Sequence, residues 1–377
     1  MKRKCTKMLA LALAAIVIMA LSACGGTSGN NQSGSGATTT PAAADTQKKG
    51  GISMPTKSLQ RWNQDGDNMQ KAFEAKGYAV DLQYGGENEV TTQINQIENM
   101  IASGCNVLII AAIDSESMTE VLATAKNNSI PVIAYDRLIM NTDAVTYYAT
   151  FDNWMVGTLQ GTYIEDKLNL KAGGGPYNIE FFTGDPGDNN IHFFFGGAME
   201  VLRPYLDSGV LVCPSGQTDE QVVATLDWSS ENSQARMENL ISSNGYGPSG
   251  TKLDAVMCSN DSTAQGVSNA LVNAGYTSGN FPYVTGQDCD VVSVKNMIAG
   301  TQSMSVFKDT RDLANQVVAM VEAIFNGTTV PINDTETYDN GVAIIPSFLC
   351  VPVYGDVNNY RELLIDSGYY TEAELSS

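Results

Sequence analysis

Apolar and polar positions follow two alternating rhythms along this chain. Short, dense apolar runs at 51–55, 78–84, 107–112, 130–135, 145–150, 177–183, 253–259, 283–285 and 302–307 read as strands. Between them lie longer stretches with one apolar stripe. In 88–103, for example, Val90, Ile94, Ile97 and Ile101 recur at a spacing of three or four, one face of a helix. The stretches 61–76 (stopped by Gly77), 155–168, 190–205, 262–274 and 311–325 read as helices in the same way. Ser117-Met118-Thr119-Glu120 has the spacing of a capping box and predicts a helix start there. Strand-then-helix units of this length imply parallel sheets with helices on both faces. The strands are too many for one comfortable sheet, so the predicted class is α/β with two doubly wound parallel-sheet lobes.

The first residues follow a different pattern. Lys2, Arg3, Lys4 and Lys7 precede an apolar run of 14 residues, Met8 to Leu21. A membrane-spanning helix needs about 20 apolar residues, so this run fits the core of a signal peptide better. It ends in Leu21-Ser22-Ala23-Cys24-Gly25, which resembles the bacterial lipoprotein cleavage box. That resemblance implies a leader over 1–23 and lipid attachment at Cys24. Residues 27–47 are Ser, Gly, Thr, Asn, Gln, Ala and Pro with a single charge, Asp45. Such a segment cannot bury a core and predicts a flexible tether over 24–47, with a reach of roughly 25 Å.

Composition narrows the function. The 377 residues carry 21 Lys plus Arg against 41 Asp plus Glu, a net charge of −20. Removing the basic leader makes the body more acidic still, which excludes nucleic acid as a partner. His192 is the only histidine, so His-rich zinc sites are absent and a nucleophile–histidine pair has one candidate base. The body cysteines Cys105, Cys213, Cys258, Cys289 and Cys350 are odd in number, lack a CxxC spacing and read as small buried hydrophobes. No Gly-x-Gly-x-x-Gly follows the first strand, there is no P-loop lysine, and Gly173-Gly174-Gly175 precedes a strand rather than a helix. No cofactor and no metal are expected. Asp185 and Asp188 bracket Pro186-Gly187 without the ligand order of an EF-hand.

The polar chemistry gathers where strands end, which is where open parallel sheets bind ligands. Asp136 and Arg137 follow Ile133-Ala134-Tyr135, and Asp188 and Asn190 follow Phe181-Phe182-Thr183. Asn260 follows Val256-Met257-Cys258, Asp288 follows Thr285-Gly286-Gln287, and Lys308 follows Val306-Phe307. Arg61 and Trp62 come after the first strand. Carboxylates, guanidinium groups and amides make directional bonds to neighbouring hydroxyls. Flat indoles such as Trp62 and Trp228 cover the C–H faces of a pyranose. An Asp at a strand end is more often a helix N-cap; it is the recurrence of the pattern that points to a polyol site. His192 reads as a rim residue, Trp154 as packing, and Phe193-Phe194-Phe195 as core with one ring available to the cleft.

Six segments then make a resemblance. Pro55-Thr56-Lys57-Ser58 leading to Arg61-Trp62, Ile133-Ala134-Tyr135-Asp136-Arg137-Leu138-Ile139, Asp188-Asn189-Asn190, Ser259-Asn260-Asp261, Gly286-Gln287-Asp288 and Phe307-Lys308-Asp309-Thr310-Arg311 occur in order. Together they resemble the xylose-binding and multiple-monosaccharide-binding proteins of bacterial sugar ABC transporters, of the type I periplasmic-binding-protein fold. The likeness runs from about residue 50 to the C-terminus, through Tyr338-Asp339-Asn340-Gly341 and Gly368-Tyr369-Tyr370. It implies an N-terminal lobe of 48–150 plus 308–345, a C-terminal lobe of 151–307 plus 346–377, and three crossings between them. It implies sugar contacts at Arg61, Trp62, Asp136, Arg137, Asp188, Asn190, Trp228, Asn260, Asp288 and Lys308, with Trp62 and Trp228 on the two ring faces. Xylose-binding members carry a lysine where this chain has Asn63, so a changed range of epimers or hexoses is expected. The implied partners are a monosaccharide, a permease and, through Cys24, a membrane; a monomer outside the cytoplasm is expected. A binding protein for another small polar ligand, or a sugar sensor, is the alternative. An exported carbohydrate-active enzyme using Asp136, Asp188 and Asp288 is a third reading, less favoured because Arg137 should hold Asp136 ionised.

Overall fold

The computed structural model describes residues 47–376. The expected leader, the lipid attachment at Cys24 and nearly all of the tether lie outside them.

Twelve strands and ten α-helices alternate along the described chain. The strands β1 (Lys49–Met54), β2 (Ala79–Tyr84), β3 (Val107–Ile110), β4 (Val132–Tyr135), β5 (Tyr147–Phe151) and β11 (Ser347–Cys350) form one sheet. Its order is β11-β5-β4-β3-β1-β2, parallel throughout. A second parallel sheet holds β6 (Tyr177–Phe182), β7 (Leu211–Val212), β8 (Ala255–Cys258) and β9 (Tyr283–Val284), in the order β7-β6-β8-β9. A short antiparallel pair joins β10 (Met304–Phe307) to β12 (Val353–Asp356).

The inner strands are buried on both faces, as all four residues of β3, Val107-Leu108-Ile109-Ile110, show. That burial explains why they read as continuous apolar runs rather than alternating ones. Helices α1 (Gln60–Ala75), α2 (Val90–Ala102), α3 (Thr119–Asn127) and α9 (Thr310–Asn326) serve the first sheet. Leu313, Val317 and Val321 of α9 share a core with Ile52, Phe73 and Ile109. The second sheet is flanked by α4 (Asn153–Lys167), α5 (Asn190–Asp207), α6 (Ser230–Asn244), α7 (Asp261–Asn273) and α8 (Val291–Ala299); α10 (Glu372–Ser376) packs on α8. The α4–α5 contact depends on glycine. A Cβ at Gly157 would lie 2.0 Å from the Phe194 carbonyl oxygen, and one at Gly197 would lie 2.2 Å from that of Trp154. Backbone meets backbone there, which sets the position of α5 and the side chains at its start.

In both sheets the strand order reverses next to the first strand entered, between β1 and β3 and between β6 and β8. Such reversals open a crevice at the carboxyl ends of the strands. Two local expectations differ from the structure. The 117–120 capping box does not form: α3 has Met118 at its N-cap position without a side-chain bond. Asp114 takes the Ser117 hydroxyl instead, at 2.8 Å. The lobe boundary drawn after 345 also shifts, because β11 pairs with β5 from Ser347↔Tyr148 to Cys350↔Phe151. The last passage between sheets therefore falls after Cys350.

Candidate functional site

The strand ends of the two sheets face a common cavity of about 420 Å³. The first sheet supplies Arg61 and Trp62 from α1, and Asp136 and Arg137 from the end of β4; Lys308 follows β10. The second supplies Asp188 and Asn190 at the start of α5, Trp228, Asn260 after β8 and Asp288 after β9. All ten residues singled out from sequence line this one cavity. Leu59, Phe194, Ser262, Gln287 and Asp290 complete the lining. Of these, Phe194 had a sequence signal as one ring of an aromatic run, and Gln287 stood in the Gly286-Gln287-Asp288 segment.

Several of these side chains are aimed by unusual backbone. Asp136 (φ 59°), Trp228 (φ 53°) and Asp288 (φ 98°) have positive φ. For non-glycine residues this conformation is sparsely populated and persists where surrounding contacts impose it. Trp228 also depends on Gly184, where a Cβ would come within 2.0 Å of the indole. The ring thus lies against bare backbone, and its carbonyl is held by the Ser262 hydroxyl at 2.7 Å.

One guanidinium organises the charges. Arg61 Nε lies 2.5 Å from Asp65 Oδ2, Nη2 lies 2.5 Å from Asp136 Oδ2, and Nη1 lies 2.9 Å from Asp288 Oδ1. Lys308 Nζ adds contacts of 3.2 Å to Asp288 and 3.7 Å to Asp136. Burial pushes the Asp136 carboxyl up, but Arg61, Lys308 and Arg137 outweigh it and hold the group at about 2. Asp65 was not singled out from sequence, although the i, i+4 spacing from Arg61 was a usable signal. Burial prevails over Arg61 there and raises its carboxyl to about 6, while the Tyr135 hydroxyl donates to it.

Arg137 is more committed to the protein than the sequence suggests. Its Nη1 donates to the carbonyls of Ala112 (3.0 Å) and Ile113 (3.2 Å), and its Nε lies 2.8 Å from Asp188 Oδ2. The guanidinium stands 5.0 Å from the Trp62 ring centre, within cation–π range. The Asn190 amide is engaged as well, donating to the Asp136 carbonyl at 2.8 Å and accepting from Asn153 at 3.0 Å. Asn260 caps α7, its Oδ1 accepting from Thr263 N at 3.0 Å, so both readings of a strand-end amide apply. Asn63 does not line the cavity; its amide donates to the carbonyls of Lys57 and Leu59, at 2.8 and 3.1 Å. The epimer effect expected from it therefore has no direct contact behind it. His192 is exposed and pairs with Glu220, and Trp154 is half exposed with its indole N–H on Glu200.

What the cavity leaves unpaired is directional and uncharged or weakly charged. The indole N–H groups of Trp62 and Trp228, Gln287 Oε1 and Asp290 Oδ1 are buried without partners. Such groups are rare in folded interiors and mark places where a ligand or water completes the bonding.

Fold and site together define a two-sheet binding protein. The chain belongs to the periplasmic binding protein domain family, whose profile matches residues 50–329, with the type I arrangement of parallel sheets. It is 51% identical to the multiple sugar-binding periplasmic protein SbpA of Azospirillum brasilense, over 89% of this chain and 94% of the relative. It is 36% identical to the D-xylose-binding periplasmic protein of Escherichia coli K12, over 89% of this chain and 95% of that one. Among solved structures, an ABC transporter solute-binding protein from Clostridium phytofermentans with bound β-D-glucose superposes with a TM-score of 0.84. It is 61% identical, over 87% of this chain and all of the other.

Proposed function

We propose that this protein binds a monosaccharide outside the cytoplasm and delivers it to an ABC importer by closure of two lobes, held to the membrane by lipid on Cys24. One observation carries the reading: paired charges and two indoles face a single cavity that keeps unpaired hydrogen-bonding groups. Arg61, Arg137 and Lys308 are matched by Asp136, Asp188 and Asp288, while burial disfavours the charged forms of the two further acids, Asp65 and Asp290. A ligand there has little net charge to neutralise and many directional bonds to make, which describes a neutral polyol. The relatives named above, sugar-binding and periplasmic, support the same reading.

The lobes would comprise 48–150 with 308–350, and 151–307 with 351–377. Ser115 N donates to the Gly187 carbonyl at 2.9 Å and Gln60 Nε2 to the Tyr370 hydroxyl at 2.6 Å, bonds between the two halves that favour a closed arrangement. The carboxylates are poorly suited to glycoside hydrolysis. Asp136 and Asp288 both sit on Arg61, and Asp188 sits on Arg137, so all three carboxylates are tied to cations of the protein itself.

A thermal-shift screen over pentoses and hexoses tests this, since a ligand bound only by the native state raises its melting temperature. A rise with at least one monosaccharide is expected, followed by micromolar affinity in calorimetry, about −8 kcal/mol. No shift with any of them would refute the reading.

A further inference from the structure

We propose that Asp290 is a specificity-determining residue of the cavity, one that accepts an exocyclic hydroxyl of the ligand and so favours hexopyranoses over pentopyranoses. The inference deepens the monosaccharide reading and rests on it.

Asp290 holds the N-cap position of α8, yet its side chain accepts nothing from that helix. A capping Asp ordinarily takes an amide of the first turn. Here no amide of the first turn reaches the Asp290 side chain, while the Val291 amide donates to Gln60 Oε1 of α1 at 3.1 Å. The Asp290 backbone is pinned separately, its amide donating to Asp261 Oδ2 at 2.8 Å. The carboxylate is thus released from capping and turned to the cavity wall, where the residue is 8% exposed and Oδ1 has no partner.

Its location sets the part of the ligand it meets. Arg61, Asp136, Asp288 and Lys308 crowd the inner end with mutually satisfied charges. Asp290, Ser262 and Leu59 also border the groove beside the cavity, so they form one outer edge of it, away from that cluster. A ring gripped at the inner end presents its protruding exocyclic group there. The Ser262 hydroxyl proton is already given to the Trp228 carbonyl, which leaves Asp290 as the strong acceptor for a hydroxymethyl group. A pentopyranose has no such group and leaves Oδ1 unpaired.

D-Glucose and D-xylose share the configuration of their ring hydroxyls and differ by that hydroxymethyl, so titration calorimetry with both sugars tests the proposal. Asp290→Ala should weaken glucose at least tenfold and xylose less than threefold. Asp290→Asn, which keeps an acceptor oxygen and the volume, should fall between wild type and Ala, and it stands in if the Ala variant fails to fold. Equal weakening of both sugars, or no change in either, overturns the role of Asp290 alone. A wild-type protein that binds neither sugar overturns the monosaccharide reading and this inference together.

Discussion

Arg61 and Asp288 are 227 residues apart in sequence and 2.9 Å apart in space, Nη1 to Oδ1. The same guanidinium holds Asp65 on its own helix and Asp136 at the end of β4. One cation therefore serves two functions: it neutralises carboxylates within the first sheet's half and reaches across to the second. Those functions separate by mutation. Arg61→Ala leaves buried Asp65 without its cation and Asp136 with only the longer Lys308 contact, and should cost about 3–5 kcal/mol of sugar-free stability. Asp288→Asn keeps the shape and most of Arg61's bonds, so it should weaken sugar binding while moving sugar-free stability far less. Urea unfolding of both variants without sugar checks the order; equal destabilisation would contradict it.

Trp228 and Arg137 should differ in a similar way. Trp228→Ala removes a flat wall that rests on Gly184 and should weaken binding at least tenfold, with little change in the ratio of affinities for epimers. Arg137→Ala should weaken binding about tenfold to a hundredfold, from the loss of charged hydrogen bonds of about 1.5–3 kcal/mol. Because Arg137 also holds the Ala112 and Ile113 carbonyls, its sugar-free melting temperature should drop as well. Calorimetry paired with thermal melts reads both quantities.

Stability without sugar should fall as pH rises from about 4 to 6. Burial raises the Asp65 carboxyl to about 6, against about 4 in an unfolded chain. Over that window native Asp65 keeps a proton that the unfolded chain releases, so stability declines with pH until Asp65 is ionised in both states. Asp290, raised to about 7 by burial and Asp288, acts in the same direction. Asp136, held at about 2, changes stability only below the window. In Asp65→Asn the slope of melting temperature against pH should flatten, even though an amide facing Arg61 Nε lowers stability overall. An unchanged slope would exclude Asp65 as the source.

Lipid attachment is tested in the producing cell. Cys24→Ala should no longer incorporate labelled fatty acid and should leave the membrane fraction. Persistent labelling would refute an anchor at Cys24.

Closure is tested in solution by small-angle scattering. Saturating sugar should shrink the radius of gyration, because Gln60, Arg61 and Ser115 bond to the opposite half in the closed arrangement. Identical profiles with and without sugar would refute the two-lobe motion.

The amino-acid pattern by itself determined the alternation of strands and helices and the set of polar residues at strand ends. Both are local properties. A buried parallel strand needs a continuous apolar run such as 107–110, a helix needs one apolar stripe, and a loop after a strand carries its chemistry in consecutive residues such as Asp136-Arg137. Only the tertiary structure decided which of those groups meet and what each has left to offer. The assignment of β11 to the first sheet rests on pairing with β5, nearly two hundred residues earlier, which no local spacing encodes. The positive-φ backbone of Asp136, Trp228 and Asp288, which aims those side chains, is not encoded in the apolar spacing. Asn63 sits next to two cavity residues yet turns its amide to the 57–59 backbone, because successive helix positions point in different directions. Asp290 stands at a helix N-cap position yet caps nothing, and only the folded chain shows that its Oδ1 is left without a partner at the cavity wall while Gln60 of α1 takes the Val291 amide.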